Sequence, residues 1–388
     1  MFKPFKQSAL SALEAFIPKA GAHYAANRNI DTGTDHPQHV SQLSPWVRTR
    51  LLPEWMLVAR VLEHHGRSAA SKFIDEVCWR TYWKGWLYLR PQIWDDYQNE
   101  LKQQLDEWGD HARYVATIRG QSGLECMDAW TNDLIQTGYL HNHARMWYAS
   151  IWIHTLKLPW ALGAAFFLTH LLDGDPASNS LSWRWVAGLH TLGKTYLARP
   201  DNIRTYTNQR FAVKETLATS PQVLETKALP APRTLSELPK PPRHAAIGLL
   251  IQEDDLDALN WIPKHLETQS IAGLFPRKTY QIHAIDPKVA NFRHACLQHA
   301  LGTHLPCFDS VNAAVNWAKV HSLDAVVMAD IPVGLWNTPL RELSDALKQL
   351  GIELYFMRHW WDATLYPQAT SGFFKFKQAI PKVLSQVV

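Results

Sequence analysis

The stretch HLLDGDPASNSLSWRWVAG, His170 to Gly188, decides how the first half of this chain is read. It closes a very apolar segment in a polar loop and then meets Trp183-Arg184-Trp185. Taken alone, Asp173-Gly174-Asp175 is a turn, two carboxylates beside a glycine. Upstream, ALGAAFFLTHLLDG (161–174) and LHNHARMWYASIWIHTLKL (140–158) read as helices separated by Pro159. Farther back, SAASKFIDEVCWRTYWKGWLYL (68–89) carries Ile74, Cys78, Tyr82 and Trp86 at steps of four. LLPEWMLVARVLEHHG (51–66) repeats Leu51, Trp55, Val58 and Leu62, and Gly66 closes it. No segment here alternates with period two for long, so the first 200 or so residues read as all-α.

Downstream the pattern changes twice. Residues 215–243 hold Pro221, Pro230, Pro232, Pro239, Pro241 and Pro242 with little periodicity, which predicts an extended linker. Beyond it, AAIGLLI (245–251), TYQIHAI (279–285), DAVVMAD (324–330) and IELYFM (352–357) read as strands. DSVNAAVNWAKVHS (309–322) and TPLRELSDALKQLG (338–351) read as helices between them. Such alternation predicts a smaller α/β domain with a parallel, Rossmann-like sheet. The expected organisation is a helical domain over 1–214, the linker, and the α/β domain over 244–388.

Composition bounds the rest. The 388 residues are 46% apolar and 19% charged, with a net charge of +4 and a mean hydropathy of -0.23. That fills a sizeable core and excludes a disordered or fibrous chain. No apolar run is long enough for a spanning helix, the N-terminus lacks a signal-peptide pattern, and Cys78, Cys126, Cys296 and Cys307 stand far apart. A cytoplasmic monomer that binds neither membrane nor metal is expected. Tryptophan is the anomaly: of 18, 13 lie between Trp46 and Trp185.

Two further clusters share the helical half. Glu76, Trp79 and Arg80 fall on one helix face, where Glu76 and Arg80 alone would be an ordinary i,i+4 pair. Asn142, Arg145 and Met146 share another face, where Asn142 alone would be a helix cap. The three clusters in this order are not explained by packing. Gly188 to Thr195 also fits the phosphate-loop pattern G-x-x-x-x-G-K-[ST], with Asp330 as a magnesium-holding partner. That nucleotide-hydrolase alternative needs a buried strand before the loop, and SLSWRWVA is not one.

The order ALEAFIPKAGAHYAANRN, SQLSP, DEVCWRTYW, TGYLHNHARM, HLLDGDPASN and WRWVAG resembles the flavin-binding domain of photolyases and cryptochromes, over about residues 12–190. The resemblance implies FAD, held by Tyr24, Ser41, Gln42, Leu43, Ser44, Asn142, Arg145, Asp173, Gly174 and Asp175, with Asn179 facing flavin N5. It implies blue-light repair of cyclobutane pyrimidine dimers in damaged DNA. Glu76, Trp79, Arg80, Met146 and Trp185 would contact the dimer, and Arg28 the DNA. Trp183, Trp160 and Trp108 would pass electrons to the flavin. A cryptochrome-like photoreceptor without repair is the alternative. Enzymes of the (6-4) type carry histidines where Asn142 and Met146 stand. Val40 replaces a usual threonine, Gln42 stands where a basic residue is common, and a usual glycine-rich stretch after Trp185 is replaced. The α/β half resembles that family's antenna domain, which normally comes first. A swapped order is therefore expected, with the antenna chromophore unknown.

Overall fold

The computed structural model describes residues 2–34, 38–191, 194–225, 228–242 and 245–387. Helices fill the chain up to Tyr206, and no helix or strand occurs among the described residues between there and Ile247. The spine of the helical half is Arg67–Tyr88, which has no interior proline and buries Phe73, Ile74, Cys78, Tyr82 and Trp86 along its length. Helix Asn142–Ser150 begins at His141, whose ring accepts the His143 N–H, so the cap is His141 and the Asn142 side chain is left free of that task. It continues as a π turn, Ile151–Thr155. The apolar helix Trp160–His170 stops three residues before Asp173, and Asp175 caps the next helix, Pro176–Val186, by accepting the Ser178 N–H at 2.7 Å.

Five parallel strands follow: β1 (Ile247–Ile251), β2 (Ser270–Leu274), β3 (Cys307–Phe308), β4 (Ala325–Ala329) and β5 (Glu353–Met357). Their order is β3-β2-β1-β4-β5, with Leu249 opposite Ile271 on one side and Val327 on the other. This is the Rossmann-like sheet that the alternation of strands and helices implies. The segment 279–285 departs from expectation, because Arg277–Ile282 is a helix. Tyr280 is buried while Ile282 is 67% exposed, so its apolar residues do not share a strand face. β2 takes its place. Its weak strand formers are accepted because Gly273 lets Leu301 approach, where a Cβ would lie 2.4 Å from Leu301 Cδ1.

The phosphate-loop alternative lacks its scaffold. Helix Pro176–Val186, not a strand, leads into Gly188, and Leu192 and Gly193 lie outside the described residues. Asp330 instead accepts from Arg358 at 2.7 Å.

In an open parallel sheet the ligand crevice lies at the carboxyl ends of strands where the order reverses, here beyond β1 and β4. Buried side chains of the chain itself fill it: Glu253 accepts from Trp336 Nε1 at 3.1 Å and from the Tyr280 hydroxyl. The same turn faces the helical half. Asp254 pairs with Arg48, and Arg50 reaches Asp255 at 2.9 Å, Asp362 at 2.7 Å and Glu54 at 3.0 Å. Buried pairs of this kind fix orientation more than they stabilise, because desolvation cancels much of the attraction.

Candidate functional site

The clusters singled out in the sequence meet around one cavity of about 450 Å³, within the range of ligand sites. The spine helix supplies Glu76, Trp79 and Arg80; helix Asn142–Ser150 supplies Asn142, Arg145 and Met146. The turn after Trp160–His170 supplies Asp173, Gly174 and Asp175, and helix Pro176–Val186 supplies Asn179, Trp183 and Trp185. Tyr24 and the run Ser41, Gln42, Leu43, Ser44 close it, with Gln42 in a left-handed conformation at φ 53°.

Its floor is a charge network. Arg145 donates to Asp173 at 3.0 Å and to the Leu140 carbonyl at 2.8 Å. Arg80 lies 4.0 Å from Asp173 and Glu76 3.7 Å from Arg28, so among the described residues these two side chains take other partners than the ordinary i,i+4 pair. Burial alone would raise both aspartates, yet both lie below the ordinary carboxylate value. Arg145 and Arg80 hold Asp173 ionised; Lys84, Arg48 and Arg80 hold Asp175. Glu76 goes the other way: burial pushes it up, and Arg28 checks the rise.

Four buried polar atoms of residues lining the cavity have no hydrogen-bond partner among the described residues: Arg80 Nη1, Asp173 Oδ1, Asp175 Oδ2 and Ser178 Oγ. Leaving such atoms unsatisfied costs about 1–3 kcal/mol each, so the wall fits a ligand rich in donors and acceptors. Asn179 donates its Nδ2 to the Ala164 carbonyl at 2.7 Å. A carbonyl demands the amide nitrogen there, which leaves Oδ1 as an acceptor for an N–H.

The expected electron carriers divide. Trp183 lines the cavity and packs on Phe167 at 5.1 Å and Trp152 at 6.0 Å between ring centroids. Gly163 makes this possible, since a Cβ there would lie 2.3 Å from the Trp183 ring and 3.0 Å from Trp152. Trp160 is buried beside Tyr97 and donates to Glu100 at 2.7 Å, while Trp108 packs on His111 at 4.5 Å. Neither lines the cavity, and among the described residues neither makes a ring contact with Trp183. Arg28 does not line the cavity and stands 3.7 Å from Glu76, which does.

Sequence reasoning missed the groups behind the wall. The Gly174 carbonyl accepts from Arg48 at 3.0 Å and from Arg293 at 2.6 Å, both fully buried, and Lys84 stands 4.0 Å from Asp175. Arg293 lies more than a hundred positions away in the α/β half, with no local signal.

Residues 73–213 match the model of the FAD binding domain of DNA photolyase. This half of the chain resembles the photolyase/cryptochrome family. Within this family, the deoxyribodipyrimidine photo-lyase of Thermus thermophilus is 33% identical over 187 residues, 48% of this chain and 43% of that one. That of Alkalihalophilus pseudofirmus is 30% identical over 189 residues, 48% of this chain and 38% of that one. A class III photolyase structure from Agrobacterium tumefaciens is 27% identical, with a TM-score of 0.44 over 53% of this chain and 43% of that one. The chain thus spans about two fifths of the length of the photolyases it matches. The matched FAD-binding segment supplies most of the cavity wall, including Glu76, Trp79, Arg145, Asp173 and Asn179.

Proposed function

We propose that this chain is a light-driven, FAD-dependent lyase that splits cyclobutane pyrimidine dimers in DNA. The observation that carries the reading is convergence: Glu76, Trp79 and Trp185 line the same cavity as Asn179, Trp183 and the Arg145–Asp173 pair. Fully reduced FAD, when bound, supplies the light-driven electron that opens the cyclobutane ring and is returned once the ring has split. Ser41 to Ser44 offer hydroxyls and backbone N–H groups to its phosphates. Asn142, Arg145, Asp173, Gly174 and Asp175 would hold its polar groups, with Tyr24 alongside, and the Asn179 carbonyl would be the acceptor for a flavin N–H. Trp183, an indole in the cavity wall, would pass an electron inward, and Trp160 and Trp108, which lie outside the wall, would serve as the outer carriers. A dimer inside a duplex must first be flipped out, and the indoles of Trp79 and Trp185 replace the stacking it loses. Met146 fills the apolar side, and Arg80 with Arg28 adds positive charge. Glu76 stands in the cavity wall, where its carboxyl would hydrogen-bond the pyrimidine edge.

The test is repair of a thymine dimer in single- and double-stranded oligonucleotides by fully reduced, flavin-loaded protein under blue light. Light-dependent recovery of intact thymines is expected. Flavin bound and photoreduced with no repair sinks the lyase reading and leaves a cryptochrome-like photoreceptor.

A further inference from the structure

After Asp362 the chain carries Lys375, Lys377 and Lys382 and no aspartate or glutamate. This carboxylate-free segment docks on the face of the spine helix that bears Glu76 and Trp79. Phe373 stacks flat on Trp79, with ring centroids 3.7 Å apart and planes 9° apart. Around that stack, Tyr82 donates to the Ser371 carbonyl at 2.8 Å, Arg90 donates to the Thr370 carbonyl at 2.7 Å, and Lys377 pairs with Asp75. Phe373 and Phe376 therefore face inward. On the outer side of the same short helix, Phe373–Lys377, stand Phe374, 86% exposed, and Lys375, also exposed. Lys382 on helix Ile380–Val387 and Arg67 and Lys72 on the spine helix are exposed as well, and Arg67 lines one hollow with Lys377 and Pro381.

We propose that this segment is a duplex-DNA contact at the rim of the dimer pocket. Phe374 packs into the stack beside a flipped-out dimer, and Lys375 and Lys382 hold the adjacent phosphates. The inference rests on the dimer-binding reading and adds a surface to it. Flipping a dimer leaves a gap whose flanking bases expose their faces to water. An apolar ring inserted there recovers stacking, as wedge residues do in bent duplexes. The chemistry of the segment fits that occupant: an exposed ring beside lysines with no carboxylate of their own segment, one residue from the ring that backs Trp79. Phe373, by fixing the plane of Trp79, is a positioning residue for the same pocket.

The experiment is dark binding of one thymine-dimer oligonucleotide, as duplex and as single strand, across a salt series. Phe374→Ala is expected to weaken duplex binding about tenfold and leave single-strand binding unchanged, with Phe374→Trp restoring it. Lys375→Gln combined with Lys382→Gln is expected to lower the slope of log K against log salt by about 1.8, roughly 0.9 for each phosphate no longer neutralised. Flavin content and melting temperature, unchanged in all variants, exclude misfolding. A parent that binds dimers, with variants unchanged in duplex affinity and salt slope, overturns the surface and spares the lyase reading. Equal losses for duplex and single strand overturn the wedge. A parent that binds no dimer DNA overturns both.

Discussion

Trp79 carries the substrate reading at the scale of single residues. One face of its ring is covered by Phe373 at 3.7 Å, so the indole is held in place rather than free to turn. A rigid ring loses little freedom on binding, and base–aromatic stacking is worth about 1–3 kcal/mol per base. Trp79→Ala is therefore expected to weaken binding of a dimer-containing oligonucleotide by about 5- to 150-fold. Flavin content should stay at one per chain, because the polar groups proposed to hold FAD are Asp173, Asp175, Arg145 and Asn179. Fluorescence titration in the dark with flavin absorbance read in parallel checks both halves, and loss of flavin would mean that Trp79 belongs to the cofactor wall. Residues of this kind were legible in the sequence where neighbours share a helix face. Glu76 with Trp79, and Asn142 with Arg145 and Met146, needed only the helical period. Phe373 was not legible, because it comes from almost three hundred positions away.

At the scale of elements, the turn between helices Trp160–His170 and Pro176–Val186 is the working part of the site. It presents Asp173 and Asp175 side by side, each held below its ordinary carboxylate value by fixed cations despite burial. A carboxylate with a depressed folded value favours the ordered turn fully above the unfolded value of roughly 3.9. That contribution fades as pH falls through the folded value. Flavin retention is thus expected to be flat from pH 8 to about 4.5 and to collapse below about 4. Asp173→Asn should release flavin already at neutral pH, since Arg145 and Arg80 then face an uncharged amide. Spin-filtration of the yellow protein across that range measures it; retention by Asp173→Asn with an unchanged acid profile would remove Asp173 from the cofactor network. The turn itself could be read from Asp-Gly-Asp-Pro, because local chemistry dictates it. β2 could not. Ser270 to Gly273 form a strand because Leu297 and Leu301 pack on them, a tertiary cause that propensity does not encode.

For the whole molecule, the α/β half holds the Asp173–Asp175 turn, the proposed cofactor turn, from behind. Arg293, on helix Pro287–Leu301, donates to the Gly174 carbonyl at 2.6 Å, and Arg48 donates to the same oxygen while pairing with Asp254 beyond β1. Two guanidiniums on one carbonyl fix the peptide between Gly174 and Asp175. Arg293 does this at a disadvantage: its Nε and Nη1 have no hydrogen-bond partner among the described residues, and burial together with Arg48 makes its charge less favourable. A fully buried, partly unsatisfied arginine is a poor stabiliser, and replacing such a group by an apolar side chain of similar size is often neutral or stabilising. Arg293→Met is therefore expected to leave the melting temperature of the flavin-free protein unchanged or raised. The same substitution should weaken flavin retention about tenfold or more, the worth of a hydrogen bond from a charged donor being about 1.5–3 kcal/mol. Arg293→Lys, which keeps a charged donor, should recover part of that loss. The two readouts move apart only if the arginine acts on the turn. Parallel losses of melting temperature and flavin would make Arg293 a core residue, and unchanged retention in the methionine variant would uncouple the α/β half from the cofactor site.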